Sequence, residues 1–245
     1  FMMSMIKKLL LIVSLLVSPA LLASGGGENL DSVYINLADK GSLRRGAHTF
    51  VNYCLSCHAA SYMRYERMAA DLEIDTPTLV ENLMFAADKP GELMTINMAS
   101  EDAKAWFGVV PPDLSLTARS RGPDWIYTYL RSFYRDESTP TGWNNTLFPS
   151  VAMPHVLYEW QGMREAHFDE SHGVSEFSGF EQIVSGEMSE VAYDEAISDL
   201  TNFMVYLAEP AKLVRYRIGF WVMGFMLVFI ALTYALKKEY WRDIH

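Results

Sequence analysis

The chain contains two cysteines, and both lie in one short motif, Cys54-Leu55-Ser56-Cys57-His58. This C-x-x-C-H spacing is the attachment motif of c-type haem, because two thiols three residues apart can reach the two vinyl groups of one porphyrin. The imidazole of the next residue then lies under the iron as its proximal ligand. A chain with this motif has to fold around a flat apolar group.

Three other interpretations share the C-x-x-C spacing: a thioredoxin-type redox pair, a simple disulfide and half of a zinc site. A thioredoxin motif requires a βαβ context, which the sequence does not predict. A zinc site requires a second ligand pair at suitable spacing, which the remaining histidines do not convincingly supply: His48, His155, His167, His172 and His245. We therefore predict one covalent haem c per chain, bound by Cys54 and Cys57, with His58 as an iron ligand.

The sixth iron ligand decides what such a haem does. A thioether raises the potential and suits electron transfer, a second histidine would lower it, and an open position would indicate gas binding or catalysis. Met153 is a candidate because Pro154 disfavours helical backbone at the preceding residue and so places Met153 in an extended loop. Most methionines merely fill cores, and His155 is the nearest competitor or else a surface histidine, so the residues alone leave the choice open.

The N-terminal segment has the pattern of a secretory signal peptide. Lys7 and Lys8 precede nine residues, 9–17, that are apolar apart from one serine, and small residues follow around Ala23. Nine helical residues rise only about 14 Å, short of the roughly 30 Å of a bilayer core. We predict a signal peptide over residues 1–23, cleaved after Ala23; an uncleaved interfacial anchor is the alternative.

The C-terminal segment predicts a transmembrane helix. Residues 218–236 form a run of 19 residues without a charge, which as a helix spans roughly 28 Å. Basic residues flank both ends, so the signal peptide sets the orientation. We predict a periplasmic haem domain over residues 24–212, an anchor in the inner membrane over 213–237 and a cytoplasmic tail over 238–245. A buried core helix is the alternative.

The domain between these segments is predicted to be mainly α, with long loops. Three apolar stripes have helical spacing: one ends at Cys54, one runs from Trp125 to Phe133, and one runs from Ala196 to Leu207, before Pro210. The stretches between them contain prolines and show no run of alternating strands. The predicted fold class is therefore a c-type cytochrome haem domain, mainly α with long loops, plus one C-terminal transmembrane helix.

From residue 31 to the C-terminus, the order of motifs resembles the cytochrome c1 family of bacterial type, the haem subunit of the cytochrome bc1 complex (quinol–cytochrome c oxidoreductase). Beyond C-x-x-C-H no single piece is diagnostic, and the order and coverage together carry the resemblance. The matching segments are Arg44-Arg45-Gly46 through the haem motif and residues 62–67; Pro111-Pro112-Asp113-Leu114-Ser115 with Arg119-Ser120-Arg121-Gly122; Met153-Pro154-His155-Val156-Leu157; and Met188-Ser189-Glu190-Val191 through Ala208-Glu209-Pro210 and the anchor.

The resemblance implies roles for four further residues. It makes Met153 the sixth iron ligand, and it makes Arg121, or else Arg119, the arginine that contacts a haem propionate, because a guanidinium suits a buried carboxylate. A solvated surface arginine is the alternative. It also implies that Gly46 allows the first helix to cross the C-terminal helix closely; otherwise Gly46 is a helix-interior glycine that costs up to about 1 kcal/mol against alanine.

The resemblance also implies partners. The haem would take electrons from a Rieske iron–sulfur protein and pass them to a c-type cytochrome, beside cytochrome b in a dimeric complex, without catalysis by this chain alone. Two alternatives stay open: a membrane-anchored cytochrome c that feeds a terminal oxidase, and a haem enzyme or gas sensor with an open iron.

The charge pattern excludes one class of partner and favours another. The net charge is −10 and no basic tract is present, which excludes nucleic-acid binding as the function. Between residues 157 and 210 the sequence has twelve carboxylates and a single basic residue among its lysines and arginines, Arg164. Such a run is commonly just a solvated face; as a functional feature it would steer a basic acceptor cytochrome.

Overall fold

The computed structural model describes residues 29–171 and 174–244. The predicted signal peptide and its cleavage site lie outside these residues. Helices dominate the described ranges: α1 Lys40–Thr49, α2 Tyr65–Leu72, α3 Thr76–Asn82, α4 Ser100–Phe107, α5 Thr117–Ser120, α6 Pro123–Leu130, α7 Tyr158–Gln161, α8 Glu190–Ala208 and α9 Lys212–Tyr240. Three antiparallel strand pairs join them: β1 Ala60–Arg64 with β2 Leu93–Met94, β3 Phe133–Arg135 with β4 Trp143–Asn145, and β5 Gly162–Ser171 with β6 Val174–Ser185. The mainly α prediction is confirmed.

The core forms where α1 crosses α8. The N-cap Asp39 accepts a hydrogen bond from the Ser42 amide at the start of α1. At Gly46 the helices touch: a Cβ there would lie 2.1 Å from the Asp199 carbonyl oxygen and 2.7 Å from Cβ of Phe203. No side chain fits in that space, so the expected close crossing at Gly46 is confirmed.

The haem motif is the direct continuation of α1. At Phe50 the helix widens into a π-helical turn, Phe50–Cys54, whose last residue is the first cysteine of the motif. Phe50 is fully buried and its ring lies 5.5 Å from that of Phe203 in α8. The helix crossing therefore fixes the backbone that leads into the motif.

The second predicted helix ends earlier than expected. Its stripe was expected to reach Phe133, but α6 ends at Leu130 and Phe133 begins β3. The end of α6 is held by tertiary contacts, since the Tyr193 hydroxyl of α8 donates to the Leu130 carbonyl at 2.9 Å. The Arg164 guanidinium donates to the Phe133 carbonyl at 2.9 Å. These partners are more than 30 residues away along the chain.

The stretches between the apolar stripes predict no run of alternating strands, but strand pairs form in them, and the longest pair lies between α7 and α8. β5 and β6 form a long hairpin inside the acidic run. Its register shifts between Met163 and Arg164 and again between His167 and Phe168. Such bulges interrupt the two-residue alternation by which a strand is recognised in a sequence.

The last helix, α9, meets the requirements of a membrane span. Its 29 residues have a mean hydropathy of 2.1 over the best window, and at 1.5 Å per residue they rise about 43 Å. It contains the predicted anchor and continues to Tyr240. The connection from α8 is short, and in it the Lys212 amide donates to the Glu209 carbonyl at 3.1 Å, while Arg215 and the Glu209 carboxylate are 2.5 Å apart.

Candidate haem site

The two thiols and the imidazole of the motif are gathered by one tight turn. The amides of Cys57 and His58 both donate to the Cys54 carbonyl, at 3.1 and 2.8 Å. Both cysteines are free thiols; Cys54 is buried and Cys57 is partly exposed. Burial, together with the nearby Cys57, raises the pKa of the Cys54 thiol to about 12.

The His58 side chain is oriented by a loop far away in the sequence. Its Nδ1 lies 2.8 Å from the carbonyl oxygen of Pro112. A carbonyl only accepts, so Nδ1 carries the proton, and in the neutral ring the lone pair of Nε2 is left for a metal. Burial lowers the pKa of His58 and keeps the ring neutral. A partner of this kind fixes the tautomer and ring orientation of metal-ligating histidines.

The loop that carries Pro112 is itself fastened to the residues after the motif. The Ser61 amide donates to Asp113 Oδ2 at 2.9 Å, and the Leu114 amide donates to the Ala59 carbonyl at 2.8 Å. Burial alone would raise the pKa of Asp113, but hydrogen bonds from Ser115 and Ser61 outweigh it and lower that pKa. The carboxylate therefore stays ionised and holds the loop that orients the imidazole.

Met153 lies in an irregular segment between β4 and α7, partly exposed, so the prediction of non-helical backbone there is confirmed. Its sulfur lies 3.4 Å from the hydroxyl of Tyr129, which donates to it. Tyr129 belongs to α6 and stacks on Trp125, with ring centroids 4.9 Å apart. Burial raises the pKa of Tyr129 well above its ordinary value, so the hydroxyl keeps its proton.

The competing ligand His155 is occupied elsewhere. Its ring is buried and stacks on Phe133 at 4.9 Å, so the interpretation as a surface histidine is wrong. Its Nε2 lies 2.8 Å from Gln161 Oε1. Burial lowers the pKa of His155 to about 3. The residue is a neutral core histidine at physiological pH.

The two candidate arginines are both exposed and face different neighbours. The Arg121 guanidinium carbon lies 5.0 Å from the ring centroid of Trp125, at the edge of the aromatic stack that includes Tyr129. Arg119 faces the end of α8: the pKa of Glu209 is lowered by the hydrogen bond from Arg215 and further by the charge of Arg119. The contact with the aromatic stack therefore belongs to Arg121.

The structure thus brings the predicted residues together in two groups. The motif and the Pro112 loop are joined by hydrogen bonds, whereas Met153, Tyr129, Trp125 and Arg121 are joined by side-chain contacts. One continuous apolar core contains Cys54 and residues of both α5 and α6. No sequence pattern points to the Pro112 carbonyl or to the Tyr129 hydroxyl; Tyr129 belongs to the predicted stripe, whose spacing indicates only burial.

The donor set fits a covalent haem. It offers two free thiols, an imidazole with an available Nε2 and a thioether, which are the groups that a c-type haem with methionine ligation requires. The loops that carry these groups also hold apolar side chains that are close to half exposed, at 49% for Val110, 44% for Leu116 and 46% for Phe148. A flat apolar group could cover such surface.

Comparison with known proteins gives the same answer. A sequence model described as "Cytochrome C1 family" matches residues 181–244. The chain is 51% identical over 243 residues to a protein named cytochrome c1 from Allochromatium vinosum, which covers 98% of this chain and 100% of that protein. The chain belongs to the cytochrome c1 family. This confirms the resemblance drawn from the order of the motifs.

Two further relatives show the range of the similarity. The chain is 47% identical over 244 residues to a protein of Nitrosomonas europaea named ammonia monooxygenase gamma subunit, covering 99% of this chain and 100% of that protein. It is 27% identical over 252 residues to cytochrome c1 of Blastochloris viridis, covering 84% of this chain and 82% of that protein. As a member of this family, the chain is a haem-containing electron-transfer subunit of the cytochrome bc1 complex, which also contains cytochrome b and a Rieske protein.

Proposed function

We propose that this chain relays single electrons from the Rieske iron–sulfur centre to a c-type cytochrome through one haem c. The haem would be bound covalently to Cys54 and Cys57, with His58 and Met153 as its iron ligands. The observation that carries the proposal is the hydrogen bond between His58 Nδ1 and the Pro112 carbonyl, at 2.8 Å. It turns Nε2 of a buried, neutral imidazole into an available ligand beside two free thiols.

The haem, when bound, supplies a one-electron couple. The protein's part is to hold the ligands and to keep the potential high, because Rieske centres reach about +300 mV and the acceptor must be comparably oxidising. Methionine ligation raises haem potentials, and His58 and Met153 are the residues that would set it. Quinol oxidation belongs to the assembled complex, so this subunit makes and breaks no substrate bonds alone.

We propose that Arg121 rather than Arg119 contacts a haem propionate, since Arg121 is the one in contact with the aromatic stack of α6. Loss of the Arg121 cation makes the propionate harder to ionise and leaves its negative charge uncompensated, which favours ferric haem. Arg121→Gln is therefore expected to raise the pH at which the haem potential begins to fall, by about one unit or less, and to lower the potential itself. Arg119→Gln is the matched control on the same turn and should leave both unchanged. A potentiometric titration at several pH values decides between them, and the reverse result would assign Arg119.

We propose the orientation that the signal peptide implies. The haem domain, residues 24–212, would be periplasmic, α9 would cross the inner membrane, and residues 238–245 would be cytoplasmic in a dimeric complex. The length and hydropathy of α9 support the membrane span. Labelling the tail in spheroplasts, before and after permeabilisation, tests the orientation; a tail that reacts in intact spheroplasts would reverse it.

Purification of the full chain in mild detergent tests the function directly. We expect a c-type reduced-minus-oxidised spectrum, haem that stays on the polypeptide under denaturing conditions, and copurification with cytochrome b and a Rieske protein. Cys54→Ala with Cys57→Ala should abolish covalent haem. Copurification with copper-haem oxidase subunits, or with ammonia monooxygenase subunits, would instead assign another assembly, and a reaction with carbon monoxide would indicate an open iron.

The hairpin of β5 and β6 concentrates much of the acidic run on one face. Glu165 lies directly opposite Glu181, and Asp169 lies opposite Glu176. Like charges in such positions destabilise a strand pair, and all four side chains are exposed. The only lysine or arginine of the run, Arg164, is turned away, with its guanidinium 3.7 Å over the Phe180 ring. Glu181 Oε2 lies 2.9 Å from His167 Nε2 on the same face. We propose that this acidic face steers a basic acceptor cytochrome toward the haem domain.

Removing two of these charges should slow the encounter with the acceptor. For Glu165→Gln with Glu181→Gln we expect a few-fold lower rate of acceptor reduction at low ionic strength, since steering by a whole charged face amounts to about 10-fold or more. The dependence on salt should weaken as well. Glu81→Gln with Asp88→Asn removes the same amount of charge from exposed positions outside the acidic run and serves as the control. Stopped-flow reduction of a basic cytochrome measures both; a rate independent of ionic strength would remove the steering role.

A further inference from the structure

We infer that Tyr129 is a positioning residue for the iron ligand Met153, and that its hydroxyl raises the midpoint potential of the haem by donating a hydrogen bond to the ligand sulfur. This inference rests on the proposed role of Met153 and adds a residue that determines the potential.

The contact itself is direct. The Tyr129 hydroxyl oxygen lies 3.4 Å from the Met153 sulfur. A thioether sulfur has two lone pairs and is a weak acceptor. One lone pair can bind the iron while the other accepts from the hydroxyl, so ligation and the hydrogen bond are compatible. The sulfur is then held from its protein side by a fixed donor.

The tyrosine ring has little freedom to leave this position. Trp125 stacks on one side of it, with ring centroids 4.9 Å apart and planes 10° apart. Phe133 meets it edge-on at 5.1 Å. The Tyr129 hydroxyl is therefore aimed by a packed aromatic cluster on α6 and β3, and a packed ring holds a donor with little loss of side-chain entropy on bonding.

A buried asparagine ties Tyr129 to the loop that leads to Met153. Asn145, at 1% exposure, donates through Nδ2 to the Tyr129 carbonyl at 2.8 Å. Its Oδ1 accepts from the amides of Leu147 and Phe148, at 2.9 and 3.0 Å. One side chain thus fixes both the tyrosine backbone and the start of the methionine loop. The separation between hydroxyl and sulfur is set by this framework.

The effect on the haem potential depends on which oxidation state of the iron is stabilised more by electron donation from the sulfur. A hydrogen bond to sulfur withdraws electron density and makes it a poorer donor. Ferric iron depends more on that donation than ferrous iron, so the oxidised state is destabilised relative to the reduced state. Hydrogen bonds to ligand atoms tune metal sites in this way. The potential of the haem therefore rises while the ligand stays the same.

Tyr129→Phe removes the hydroxyl and keeps the ring. In the purified full-length complex we expect methionine ligation to persist and the potential to fall. A hydrogen bond of ordinary net strength corresponds to about fivefold in an equilibrium constant. The ratio of reduced to oxidised haem at a fixed ambient potential should thus drop up to about fivefold, or about 40 mV for a one-electron couple. Redox titration followed optically measures this shift.

Tyr127→Phe is the matched control. It removes a hydroxyl from the same helix, where the ring faces the Arg131 guanidinium at 4.7 Å rather than the sulfur, and it should leave the potential unchanged. An unchanged potential in Tyr129→Phe, with Met153→Ala still altering the spectrum, would overturn the inference and leave the ligand assignment intact. If Met153→Ala alters neither the potential nor the spectrum, the inference about Tyr129 and the assignment of Met153 as a ligand are both wrong.

Discussion

Replacing Met153 by alanine is expected to lower the midpoint potential of the haem and to open the iron to carbon monoxide. A thioether ligand favours ferrous iron, so loss of the proposed ligand Met153 favours the ferric state. We expect a drop on the order of 0.2 V, a fraction of the roughly 0.8 V range over which axial ligands set haem potentials. Redox titration measures the first effect, and difference spectra of the reduced protein with and without carbon monoxide measure the second.

Two further variants separate ligation from packing. Met153→His should also lower the potential but leave the iron closed to carbon monoxide, because an imidazole replaces the sulfur. Met163→Ala removes a partly exposed methionine from the start of β5 and should change neither property. If Met153→Ala keeps both the potential and the closed iron of the unaltered protein, another residue is the sixth ligand.

Replacing Gly46 by alanine is expected to cost about 3 kcal/mol of folding stability, at the upper end of the usual cost of overpacking. The added Cβ would lie 2.1 Å from the Asp199 carbonyl oxygen and 2.7 Å from Cβ of Phe203, so α1 and α8 have to move apart. Neither atom belongs to the far end of a flexible side chain. Thermal unfolding of the full chain in detergent should show a midpoint lower by about 6–12 °C.

Gly41→Ala is the control on the same helix. A Cβ at Gly41 would meet only the ends of the Asp39 and Arg45 side chains, at 3.2 and 3.4 Å. Its effect should stay within about 1 kcal/mol, the difference in helix propensity. Equal stability of the two variants would show that the helices can separate at Gly46 without loss.

The residues proposed to bind the haem could be named from the sequence because their pattern is local. The spacing of Cys54, Cys57 and His58 is written in five consecutive positions, and Pro154 constrains the backbone of its neighbour Met153. The groups that orient them could not be predicted. The Pro112 carbonyl is 54 residues from His58 and the Tyr129 hydroxyl is 24 residues from Met153, and a carbonyl or a core tyrosine has no sequence pattern of its own.

The same distinction between local patterns and distant contacts applies to the fold. α8 and α9 were predicted because their apolar residues repeat over many turns without interruption. The hairpin of β5 and β6 was not predicted, because two bulges shift its alternation of side chains. Its acidic residues are also more typical of a loop than of a strand. The end of α6 was predicted too late in the chain, because the apolar stripe continues to Phe133. Hydrogen bonds from Tyr193 and Arg164 to the Leu130 and Phe133 carbonyls hold the backbone where the helix ends and β3 begins.

The connection between α8 and α9 has a consequence for how electrons are exchanged. Glu209 accepts from the Lys212 amide and pairs with Arg215, so the passage from the haem domain to the membrane helix is brief and hydrogen-bonded. α8 in turn packs against α1, and α1 leads directly into the turn that holds Cys54 and Cys57. In the proposed arrangement so short a connection would keep the haem domain close to the membrane surface, and the electron donor and acceptor would have to reach it there.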